Sequence, residues 1–121
     1  MTNEFEWFAL HTYSSFENKV KTAIEKHARL EGLEEYLGDV VVPLEPVIEI
    51  KNGKKMTVMR NLMPGYLLIR MQPVDELVNL IRSLTGVTGF VGGESKPVPL
   101  SRAEVENILS MMESKADKPK P

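Results

Sequence analysis

Two helical stripes, each flanked by short runs of strand-forming residues, constrain this chain more than any other feature. Phe16, Val20, Ala23, Ile24, His27 and Leu30 fall on one helical face, and Val74, Leu77, Val78, Ile81 and Leu84 form a second stripe after Pro73. Trp7-Phe-Ala-Leu-His-Thr-Tyr13 precedes the first and reads as a strand. Val40-Val-Val-Pro43, Val47-Ile-Glu-Ile50 and Tyr66-Leu-Leu-Ile-Arg-Met71 lie between the stripes, and Val87-Thr-Gly-Phe-Val91 follows the second. This order predicts an α+β fold, a four-stranded antiparallel sheet with a ferredoxin-like βαββαβ core and helices largely on one face.

The turn residues supply the punctuation. Ser14 with Glu17 reads as a capping box opening the first helix, and Gly32 as its stop. Asn52-Gly53 marks a type I′ turn, which makes Lys54 to Arg60 the returning arm of a protruding hairpin. Pro64-Gly65 launches the most apolar strand, and Gly92-Gly93 with Pro97-Val-Pro99 forms a loop. Ser101 with Glu104 is a second capping box, ahead of a last helix whose apolar face is Val105, Ile108, Leu109 and Met112. From Ser114 the composition is that of a linker, so residues 1–113 are expected to form the domain and 114–121 the start of a tether.

A chain of 121 residues suits one such domain. It has no apolar run of the roughly 18 residues that a membrane span needs, and its acidic start lacks the features of a signal peptide. The absence of cysteine excludes disulfides and thiolate metal sites and fits a cytoplasmic protein. A net charge of −2 excludes binding to nucleic acid through overall charge, so any such contact is expected to be local.

Catalytic patterns are missing. His11 and His27 have no neighbouring ligands at metal spacing and read as structural or surface residues. Gly86, Gly89, Gly92 and Gly93 lack the lysine and helix start of a phosphate cradle and read as turn glycines. The expectation is a protein that is not an enzyme and needs no cofactor or metal.

Two stretches carry binding hypotheses. Lys51, Lys54, Lys55 and Arg60 lie on or beside the hairpin, where they either touch phosphates or simply keep an edge arm soluble. Met63-Pro64-Gly65-Tyr66, with Trp7 and Tyr13, forms either an exposed patch for a protein partner or a set of core residues with polar tips at the sheet margin. An RNA-binding module is the alternative reading of the fold, but Gly89-Phe90-Val91-Gly92-Gly93 keeps only a fragment of the aromatic motif such modules use.

These segments together resemble the NusG family of transcription elongation factors. Trp7 to Val20 is similar to the family opening W-Y-V-V-x-x-[FY]-S-G-[FY]-E-x-x-V, and Val41-Val42-Pro43 to its V-x-V-P segment. Met63-Pro-Gly-Tyr-Leu-Leu68 resembles F-P-G-Y-V-L-V, and Gly86 to Gly92 matches G-V-T-G-F-V-G. The resemblance runs from about Trp7 to about Met112 and implies the family's N-terminal domain. It further implies docking on the β′ clamp helices of RNA polymerase through Trp7, Tyr13, Met63, Pro64 and Tyr66, and a bridge across the cleft to the β-subunit side that modulates processivity, pausing and termination. Ser83, Leu84 and Thr85 would lie near the upstream fork and the non-template DNA strand. Met63 stands where the family usually has phenylalanine, and Ser15 where it commonly has glycine. Ser83-Leu84 replaces an asparagine–threonine pair that reads thymine-rich DNA in some members, so that sequence readout is not expected here. Contacts to Rho and to the ribosome belong to a C-terminal KOW domain that these residues do not include.

Overall fold

Strand β1 (Glu6–Thr12) alternates its side chains between two faces, and both faces are used. The computed structural model describes residues 4–92 and 96–112, so the expected linker and Gly93 of the expected loop lie outside the described residues. β1 pairs antiparallel with β5 (Tyr66–Met71) and with β6 (Val87–Phe90), and β2 (Leu37–Val41) pairs antiparallel with β5. The sheet order is β2-β5-β1-β6, the arrangement expected of a ferredoxin-like core.

Phe8 and Leu10 of β1 share one face with Leu67, Ile69 and Met71 of β5. Helices α1 (Glu17–Leu30) and α2 (Asp75–Arg82) cover it with Val20, Ile24, Ala28, Leu77 and Ile81, each fully buried. Complete burial of a leucine or isoleucine contributes about 1.5–3 kcal/mol, so this is the main core. Leu30 departs from the expected stripe and is 65% exposed, because Ala28 supplies the inward position of the last turn. Gly32 closes α1 as expected: it and Leu33 return their N–H groups to the carbonyls of Arg29 and Ala28. Leu84 and Val91 lie just past the ends of α2 and β6.

The opposite face carries Trp7, Ala9 and His11, registered against Arg70, Leu68 and Tyr66. Two of the three described α-helices share the first face, as expected of helices largely on one side, and the third takes the second. Helix α3 (Arg102–Met112) lies over this second face. Leu68 and Ala9 are apolar and need cover, and they are buried along with Val105 of α3. The capping box that opens α3 forms as predicted: Ser101 Oγ accepts the Glu104 N–H at 3.1 Å, and Glu104 Oε1 accepts the Ser101 N–H at 2.9 Å.

The first predicted capping box does not form. Phe16 occupies the cap position without a side-chain hydrogen bond, and Glu17 begins the helix with its side chain turned elsewhere. β3 (Leu44–Lys51) and β4 (Lys54–Asn61) make a separate two-stranded sheet rather than joining the main one. Asn52 and Gly53 both have positive φ, 53° and 75°, as the expected tight turn requires.

Candidate functional site

The Met63–Tyr66 segment folds into a tight turn because its sequence leaves little alternative. Pro64 fixes its own φ, Gly65 accepts a φ of 84°, and Tyr66 donates its N–H to the Met63 carbonyl at 3.0 Å. A Cβ on residue 65 would stand 3.1 Å from the Thr12 carbonyl oxygen. That closeness accompanies a bond in the other direction, since the Gly65 carbonyl accepts the Thr12 N–H at 2.7 Å.

Glu17 holds the turn from behind. Its Oε2 accepts the Gly65 N–H at 2.7 Å and a longer bond, 3.4 Å, from Asn61 Nδ2. Asn61 Oδ1 in turn accepts the Met63 N–H at 2.9 Å. Glu17 is only 8% exposed, so this is a charge-assisted bond shielded from water. The acidic residue expected to cap its own helix instead fixes a loop 48 positions along the chain.

The turn forms one side of a groove of about 440 Å³. Ala9, Met63, Pro64 and Tyr66 line it from the sheet, and Leu100, Glu104, Asn107 and Ile108 from α3 and its lead-in. The Tyr66 ring rests 4.9 Å from that of His11, tilted by 48°. His11 Nδ1 contacts the Thr88 hydroxyl, which donates its proton to the His11 carbonyl at 3.0 Å.

The structure therefore gathers Met63, Pro64 and Tyr66 into one feature. Trp7 lies half-buried on the same sheet face, beside Leu100 and Val105, and its carbonyl accepts the Leu100 N–H at 2.8 Å. Tyr13 stands apart from the groove lining. It is 61% exposed, meets Phe16 edge-on at 6.1 Å, and donates its N–H to the Gly86 carbonyl. That places it beside the Ser83–Gly86 loop. Within the loop, Ser83 Oγ donates to the Leu80 carbonyl, Leu84 packs against the helix-side core, and Thr85 is exposed.

The cations of the hairpin divide into two kinds. Arg60 binds Glu45 at 2.9 Å, and Lys51 lies 3.9 Å from Glu49. Lys54 and Lys55, at the tip, have no carboxylate within 4 Å among the described residues. Phe90, the aromatic of the RNA-binding fragment, is buried and meets Phe8 edge-on at 6.4 Å, so its face is not offered to a base.

Among the described residues no three His, Cys, Asp or Glu side chains gather to hold a metal, and no helix is long and apolar enough to cross a membrane. The Tyr36 phenol has its pKa raised by a hydrogen bond to Glu35 and by that carboxylate's charge, but it lies outside the groove. Sequence reasoning missed the parts played by Glu17, His11 and the α3 wall. Strict alternation along β1 places His11 with Trp7 on the second face, a signal that was available.

Fold and groove define a ferredoxin-like α+β domain with an apolar groove built from a clamped turn and a capped helix. The family model described as "Transcription termination factor nusG" matches residues 5–109, and the chain belongs to the NusG family. It is 42% identical to the transcription termination/antitermination protein NusG of Streptomyces coelicolor, over 87% of this chain and 35% of that protein. It is 39% identical to the NusG of Escherichia coli O6:H1, over 95% of this chain and 64% of that protein. A solved structure of Thermotoga maritima NusG, titled for its domain interaction, superposes with a TM-score of 0.73 at 31% identity, covering 97% of this chain and 62% of that one. The chain thus spans from about a third to just under two-thirds of these proteins.

Proposed function

We propose that this chain is a non-catalytic elongation-factor domain that docks on RNA polymerase through the groove beside Tyr66. The observation that carries this reading is the Glu17–Gly65 clamp, which holds Met63, Pro64 and Tyr66 in one geometry before any partner arrives. A surface fixed in advance loses less conformational entropy on binding. The groove is mainly apolar, with Glu104, Asn107 and Tyr66 as its polar lining residues, a composition suited to the tip of a helical hairpin. The partner implied by family membership is the β′ clamp-helix tip.

In this mechanism the domain acts by binding alone. The groove takes the clamp tip, and a second contact on the β-subunit side bridges the cleft. Such a bridge favours the closed clamp by the difference in its affinity for the closed and open states. Tyr13 and Thr85 would then face the upstream fork, with Ser83 and Leu84 engaged in the fold itself. Leu84 has no group for hydrogen-bonded base readout, so the thymine-rich readout made by the asparagine–threonine pair is not expected from this loop.

Calorimetric titration of an isolated β′ clamp-helix fragment into the chain tests the reading. Tyr66→Ala is expected to weaken binding by about 1–3 kcal/mol, as loss of a central aromatic anchor does. Unchanged affinity in a folded variant would remove the groove from the docking surface.

A further inference from the structure

The chain has seven methionines and no cysteine, so the thioether is its one kind of sulfur group open to two-electron oxidation. The surroundings of these methionines differ. Met71 is fully buried in β5, while Met56 and Met59 of the hairpin and Met111 near the end of α3 are 47%, 57% and 43% exposed. Met63 is half-buried, and among the described methionines it alone lines the groove beside Tyr66.

The turn fixes the backbone beneath that side chain. Asn61 Oδ1 accepts the Met63 N–H at 2.9 Å, the Met63 carbonyl accepts the Tyr66 N–H at 3.0 Å, and Glu17 holds Gly65 behind both. A group added to the sulfur can therefore move only as far as the side chain's own rotations carry it. Ala9, Pro64, Val91, Leu100 and Ile108 have no side-chain donor for a new oxygen. Tyr66 and Asn107 have donors, but a bond to either would occupy a group of the docking surface. Rotation into solvent would withdraw the apolar side chain from the groove.

We infer that Met63 is a reversible oxidation site whose sulfoxide weakens docking, an inference that rests on the docking reading above. The oxidant is hydrogen peroxide or an organic hydroperoxide. The sulfur lone pair takes the terminal peroxide oxygen, so an S–O bond forms as the O–O bond breaks. The proton on the transferred oxygen passes to the leaving oxygen, which departs as water or alcohol. Sulfur is oxidised by two electrons and the peroxide is reduced by two. A soft apolar thioether thus becomes a polar sulfoxide. Pressed against a partner without a hydrogen bond, such a group lowers affinity about five- to a hundredfold. Met56, Met59 and Met111 lie outside the groove lining and oxidise without this consequence.

Timed treatment of the chain with hydrogen peroxide, stopped with catalase, tests the inference. Peptide mass spectrometry reads the sulfoxide at each methionine, circular dichroism checks the fold, and calorimetric titration with the β′ clamp-helix fragment reads binding. Met56, Met59 and Met111 are expected to oxidise first, Met63 later and Met71 last. Affinity should fall about five- to a hundredfold in step with Met63 alone, and return when the two methionine sulfoxide reductases, one for each epimer, are added. The triple variant Met56→Leu/Met59→Leu/Met111→Leu should keep this response. Met63→Leu, whatever its starting affinity, should change less than twofold on peroxide treatment. Undiminished binding with Met63 oxidised overturns the inference while leaving docking intact. So does a Met63→Leu variant that responds as the parent does, or a loss that accompanies unfolding or resists the reductases. An untreated parent that does not bind the fragment refutes the docking reading and the inference together.

Discussion

Glu17 Oε2 accepts the backbone N–H of Gly65 at 2.7 Å, joining the first residue of α1 to the turn that presents Tyr66. The bond lies in a shielded position, and its removal leaves a buried N–H without a partner. Glu17→Ala is therefore expected to lower stability by about 1.5–3 kcal/mol. Glu17→Gln, which keeps an oxygen acceptor, should lose less. Urea denaturation of both variants measures the difference, and equal losses would show that packing, not the hydrogen bond, holds the turn.

Gly65 itself tolerates no side chain at its φ of 84° without strain. Gly65→Ala is expected to cost about 1–2 kcal/mol from the left-handed conformation alone. The added Cβ would also press on the Thr12 carbonyl, 3.1 Å away. The same denaturation measurement applies, and a variant as stable as the parent would exclude the assigned turn geometry.

Ser101 controls the other side of the groove. Ser101→Ala removes the oxygen that accepts the Glu104 N–H and is expected to destabilise the protein by about 0.5–2 kcal/mol. Because Glu104 and Ile108 line the groove, amide hydrogen exchange should quicken along α3 while α1 stays protected. Uniform quickening across both helices would mean that α3 does not open separately.

Leu68 reports on the second face of the sheet. It is fully buried on the side that α3 covers, and Leu68→Ala is expected to cost about 2–5 kcal/mol. A loss well under that range would mean that α3 covers this face loosely.

Most of the fold was legible because its signals are local. The Asn52-Gly53 turn, the Gly32 stop and the Ser101–Glu104 box each depend on backbone geometry within a few residues, and all three form. Glu17 was misread for the complementary reason. A serine three residues before a glutamate satisfies the local pattern, yet the bond from Gly65, 48 residues away, took the carboxylate. The placement of α3 is likewise a long-range matter: periodicity names its apolar residues but not the sheet face they cover. Within the site, Met63, Pro64 and Tyr66 come together because they share one turn. Tyr13 follows β1 and turns with the chain towards Gly86, so it lies outside the groove lining, a placement that neither residue type nor the resemblance fixes.

The measurement closest to the central claim is an NMR titration of the isotope-labelled chain with an isolated β′ clamp-helix fragment. Docking through the groove predicts shifts concentrated at Met63, Tyr66, Ile108 and Trp7, with Lys54 and Lys55 at the hairpin tip unmoved. Shifts confined to other surfaces, or a flat titration with folded spectra throughout, would contradict it.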